Sequence, residues 1–139
     1  MSVTNTPIFP QTITSPSVQI LPADTTTLKT LYTAGTNGSK IENIIATNTD
    51  TTAAYGIQLS ITTGATTYLL GTINVPLSSG NTTVVPAVSL INSTNLPTAK
   101  DSNGNPYIYL ASGSVLKVNS LTTVNAGKII AITCNGGDF

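Results

Sequence analysis

The chain has 139 residues, 40% of them hydrophobic, enough to fill the core of one domain and too many for a disordered chain. Charged residues make up only 7%, against roughly 25% in an average soluble domain. The net charge is zero, and His, Arg and Trp are absent. This excludes a phosphate-tracking nucleic-acid surface, which needs clustered cations, and electrostatic attachment to anionic membranes.

Residues 1–17 read as an extended arm. Pro7, Pro10 and Pro16 remove ladder donors and bias their neighbours to extended geometry, and Ile8 and Phe9 are the large anchors. No basic stretch or apolar run marks a secretory leader here, and no segment reaches the roughly 20 apolar residues of a membrane span. Such an arm is ordered where something holds it, and docking on a neighbouring subunit is its functional reading.

From residue 18 to 139 the pattern is that of one domain of strands and turns. Residues 18–21 form a short apolar run closed by Pro22, and residues 25–33 carry Leu28, Leu31 and Tyr32 among threonines. Gly35-Thr-Asn-Gly38 is a turn leading to residues 40–47, with Ile41, Ile44 and Ile45. Residues 54–62 give the clearest strand: Tyr55, Ile57, Leu59 and Ile61 alternate with Gly56, Gln58 and Ser60, a period of two with one buried face. Residues 66–75 follow and Pro76 ends them. Residues 84–91 are apolar, but Pro86 puts them at an edge or a bulge. Asp101-Ser-Asn-Gly-Asn105 is a turn, and residues 107–111, 115–119 and 128–134 complete the strands. Gly136-Gly137 is expected to free a short tail ending in Phe139.

These elements predict an all-β fold, an antiparallel β-sandwich with jelly-roll order as a candidate arrangement. The expected core is Tyr55, Ile57, Leu59, Ile61, Leu69, Ile73, Leu116, Val118, Ile130 and Ile132. Cys134, the single cysteine, is read as a small core side chain that forms no intramolecular disulfide.

Catalytic chemistry finds few candidates. Without imidazole there is no ordinary base to activate Ser or Cys, and no Gly-x-Ser-x-Gly elbow occurs. The five carboxylates, Asp24, Glu42, Asp50, Asp101 and Asp138, are scattered. Residues 35–40 fail the order of a phosphate loop. Asp101-x-Asn103-x-Asn105 copies the first ligands of a calcium loop, but Pro106 stands where Gly is needed and no Glu closes it. The expectation is a non-enzymatic chain with no cofactor and no metal.

Three stretches together carry a resemblance. They are residues 30–41 (TLYTAGTNGSKI) followed by Ala46-Thr-Asn-Thr-Asp50; residues 68–76 (YLLGTINVP); and residues 104–113 (GNPYIYLASG) with Leu116-Lys-Val118 and a closing Asp138-Phe139. The arrangement resembles virion structural proteins of tailed bacteriophages, in particular small head decoration (cement) proteins. The resemblance implies a structural β-sandwich subunit, often a homotrimer. It would be made in the host cytoplasm and sit on the outer capsid surface, with the major capsid protein and its own copies as partners. It carries over no catalytic, cofactor or metal residue and implies no nucleic-acid or membrane partner. Ile8, Phe9, Tyr107, Tyr109 and Phe139 are the candidate interface residues. Two alternatives stand beside it: a tail, neck or head-fibre component, and a carbohydrate- or ligand-binding β-sandwich module. In the second, Tyr32, Tyr55, Tyr68, Tyr107 and Tyr109 would supply the stacking surface, and Tyr107 and Tyr109, two apart, share one strand face.

Overall fold

The computed structural model describes residues 9–91, 96 and 98–139. Alternation sets the long strands. In β5 (Tyr55–Thr63) Tyr55, Ile57 and Leu59 are buried while Gly56 and Gln58 between them are half-exposed. Glycines and polar residues mark the ends. Gly64, Gly104 and Gly113 all take positive φ in the turns beside β5, β9 (Pro106–Leu110) and β10 (Ser114–Ser120).

Two antiparallel sheets result. The first contains β1 (Thr12–Thr14), β2 (Ser17–Ile20), β4 (Ser39–Asn48), β7 (Val88–Ser89), β8 (Ala99–Lys100), β9 and β11 (Ile130–Asp138). The second runs β3 (Lys29–Thr33), β10, β5, β6 (Thr66–Val75). Among the eight principal strands, the first sheet has the order β2-β11-β4-β9 and the second β3-β10-β5-β6. First therefore pairs with last, second with seventh, third with sixth and fourth with fifth. That nesting is an antiparallel strip rolled once, the jelly roll.

The inner faces meet in one core. Ile20, Ile41, Ile44, Ile130 and Ile132 come from the first sheet and Ile57, Leu59, Val75, Leu116 and Val118 from the second, all fully buried. Each contributes roughly 2 kcal/mol through burial. Of the expected core, Tyr55 and Ile73 are also buried, and Ile61 packs half-buried against it.

Leu69 is the exception, 58% exposed. Leu59 pairs with Gly71 and Ser60 with Leu69, so Leu70 is an extra residue on β6. The bulge reverses the parity, turning Leu70 toward the core and Leu69 to solvent. A second bulge explains β4. Asn135 pairs with Asn43 and Gly136 with Ile41, leaving Glu42 unpaired, so Ile41 and Ile44 both point inward despite being three apart.

The ends of the chain differ from expectation. Gly136-Gly137 is not the start of a free tail. β11 runs through it to Asp138, pairing with β4 on one side and β1 on the other. Within the segment 1–17, residues 1–8, Ile8 included, lie outside the described residues. Thr12–Thr14 pairs with β11 of its own chain, and Ser17 begins β2 on the same edge. The apolar segment 84–91 supplies only the two-residue strand β7.

Candidate functional site

Cross-strand partners share a sheet face. Ile13 lies beside Gly137, Gly137 beside Lys40, and Lys40 beside Tyr109, one row over β1, β11, β4 and β9. The flanking residues Ser39 and Ile41 are buried, so this row is on the outer face. At one end is an aromatic cluster. Tyr109 is 61% exposed, its ring centroid 4.8 Å from that of Tyr107 and 6.1 Å from that of Phe139. The Lys40 ammonium sits 5.1 Å from the Tyr107 centroid, a cation–π contact, and 3.3 Å from the Glu42 carboxylate. Phe139 is fixed by its N–H donating to Gly38 O (3.1 Å) and by the Asn37 amide donating to its main-chain O (3.2 Å).

The other end is the arm edge. Ile13 is 87% exposed and Phe9 70%, while Pro10 lies over Gly137. The Gln11 N–H donates to Asp138 O at 2.7 Å, and the Thr14 hydroxyl meets the Tyr32 hydroxyl. Tyr32 in turn donates to the Asp138 carboxylate (2.9 Å), which Ser39 also reaches (2.5 Å). The structure thus brings Tyr107, Tyr109 and Phe139 together and places Phe9 at the opposite end of the face. Ile13 and Lys40 were not among the residues singled out from sequence. Their place on the face depends on a strand pairing that no local pattern announces.

Beside Tyr107 a cleft of about 460 Å³ opens, lined by Lys40, Glu42, Asn43, Ser89, Asn105 and Tyr107, with Ile91, Asp101 and Pro106 completing it. The turn at Asp101 is closed on itself. The Asp101 carboxylate accepts the N–H groups of Asn103 (2.8 Å) and Asn105 (2.9 Å), so these oxygens serve the loop. Among the described residues no three His, Cys, Asp or Glu side chains converge as a metal site. No helix among them is long and apolar enough to cross a membrane.

Asp50 accepts the most side-chain hydrogen bonds among the described residues. It is buried, and its carboxylate accepts from Thr52 N (2.8 Å), Thr52 Oγ1 (2.8 Å), Ala53 N (3.2 Å), Tyr55 OH (2.7 Å) and Asn125 Nδ2 (2.8 Å). The Tyr55 hydroxyl first, then the Thr52 N–H, hold its pKa well below the ordinary 3.8. A carboxylate so placed is a fixed anion joining β4, β5 and the 125 loop. Both of its oxygens accept hydrogen bonds from within the chain.

Cys134 is fully buried, and burial alone pushes its thiol up to about 12. A thiol reagent at about pH 8 is expected to leave it unmodified in the native protein and to label it fully in denaturant. Rapid labelling of the native chain would contradict the burial.

No family model matches the chain, and no curated protein matches it. Two solved structures show a likeness, each described as a pentameric capsid protein isolated from metagenomic phage sequences. Both are 16% identical and cover 89% of this chain, with TM-scores of 0.41 and 0.38. The chain spans about three fifths of their length, 59% and 61%.

Proposed function

We propose that the chain is a structural subunit of a tailed-phage particle, and within that class a head decoration subunit that binds the assembled shell. The observation that carries this is the arm edge. β1 ends its sheet, so one side of its backbone lacks a strand partner among the described residues, and Ile13 on it and Phe9 just before it expose apolar side chains. An exposed apolar strand edge is a template for another chain. The sequence resemblance names the setting. Near-absence of charge suits a subunit whose contacts are made by packing and main-chain hydrogen bonds. The partners in this reading are the major capsid protein and further copies of the chain, arranged as a trimer. Many weak contacts on a lattice sum to tight retention.

The test is co-sedimentation of purified protein with heads that lack it. Saturable binding at a fixed ratio to the major shell protein is expected, with Ile13→Lys reducing it at least about 10-fold. Protein left wholly in the supernatant would overturn the shell reading and move the chain to the tail or neck.

A further inference from the structure

We infer that the cleft beside Tyr107 is a binding site for an uncharged oligosaccharide. Its origin is a gap in the sheet. β9 and β7 pair with the same edge of β4, β9 with Ser39–Ile41 and β7 with Ile45 and Ala46. Glu42 and Asn43 lie between them, where that edge has no strand partner among the described residues, and Glu42 is the bulge residue. Leu90 N–H donating to Ile44 O at 2.8 Å closes the far end. The gap spans about 10 Å at the strand rise of roughly 3.3 Å per residue. That accommodates about two sugar rings, with a third reaching past the gap.

The lining matches that class of ligand. The side chain of Asn43 makes no hydrogen bond among the described residues. Among the described residues, the Glu42 carboxylate has only the Lys40 ammonium, at 3.3 Å, and the Asn105 amide only a long 3.3 Å contact to Asp101. Donors and acceptors not committed elsewhere among the described residues therefore converge beside a half-exposed Tyr107 ring, with the Tyr109 ring tilted 60° to it. A sugar presents C–H faces to rings and hydroxyls to amides and carboxylates, and small convergent polar sets beside aromatics mark ligand sites of this size. Charge decides the subclass. One ammonium, Lys40, stands against two carboxylates, Glu42 and Asp101, so a phosphate or an acidic sugar is disfavoured.

The site is tested by titrating the full chain with maltotriose, cellotriose and chitotriose, and with sialyllactose as the anionic control, reading amide chemical shifts. At least one neutral trisaccharide is expected to saturate with a Kd of about 1 mM or tighter. Shifts should centre on residues 40–43 and 105–109. Tyr107→Ala should weaken binding at least about 10-fold, Tyr107→Phe should keep it, and Asn43→Ala should weaken it without removing a ring. Thermal midpoints of all three variants separate loss of binding from loss of fold. No saturation by any neutral probe up to about 10 mM overturns the proposal, as does binding that Tyr107→Ala and Asn43→Ala leave unchanged.

Discussion

Replacing Asp50 with Ala is expected to lower the thermal midpoint by about 10 °C or more, among the largest single effects available in this fold. The side chain is small, so the loss is not one of packing. Truncation leaves five donor contacts without an acceptor: Thr52 N and Oγ1, Ala53 N, Tyr55 OH and Asn125 Nδ2. Water cannot replace the carboxylate easily, because Asp50 and Tyr55 are both buried. Tyr55→Phe removes one charge-assisted bond, and also the acceptor for Asn125 N at 2.9 Å, at a cost of roughly 1.5–3 kcal/mol. Because the two side chains share a network, the double variant should lose less than the sum of the singles. Additive losses would show that the Tyr55–Asp50 contact carries little.

The same group sets the acid limit. Its native pKa lies below the ordinary 3.8, so in acid the unfolded chain binds the proton first and stability rises with pH. The contribution is complete above about pH 5 and is lost progressively as pH falls through the unfolded value toward the native one. Asp24, lowered by the hydrogen bond from Lys29, and Asp101, lowered by the Asn105 N–H, add in the same direction. Midpoints measured from about pH 7 to 3 should therefore fall steeply below about pH 4. Asp50→Asn, which has no charge there to lose, should show a shallower limb. Parallel limbs would assign the acid transition to other groups.

Period-two alternation made the strands legible because a half-buried strand must alternate. β5 and β6 fall within a residue of their expected bounds, and Tyr55, Ile57 and Leu59 are buried as the pattern requires. Bulges broke the inference where they occur. Leu69 satisfies the parity of Ile73 in sequence, and only the insertion of Leu70 into the β5–β6 register reverses it. Ile41 and Ile44 have a spacing foreign to a strand until Glu42 is seen to be unpaired. The outer face was half legible. Tyr107 and Tyr109 share it by spacing alone, whereas Phe139, Lys40 and Ile13 join them through pairings between residues about 30 to 125 positions apart in the chain, which carry no local signal. The glycine pair reads as a strand end because Gly is usually a breaker. Here it stays in the strand, for want of room for a Cβ.

That pair yields a second large effect. Gly136→Ala is expected to cost about 3 kcal/mol, read as a lower denaturant midpoint. Its Cβ would stand 2.5 Å from the main-chain O of Lys40, in the centre of the first sheet, with Ile41 Cα at 3.3 Å. Backbone held on both sides by ladders has no cheap way to yield. Gly137→Ala meets something different. Its nearest neighbours are Pro10 Cβ at 2.6 Å and Thr12 O at 3.1 Å, both in the arm, and the arm can move away as a unit. The midpoint should fall by only about 1 kcal/mol equivalent, while the amides of Gln11–Thr14 lose their protection from exchange. If the arm edge is the docking surface, Gly137→Ala should then release the protein from phage heads although it remains folded. Gly136→Ala, assayed well below its midpoint, should still bind. Equal destabilisation by the two substitutions would mean that β1 is an integral strand of the sheet. Retained head binding by Gly137→Ala would place the contact elsewhere on the subunit.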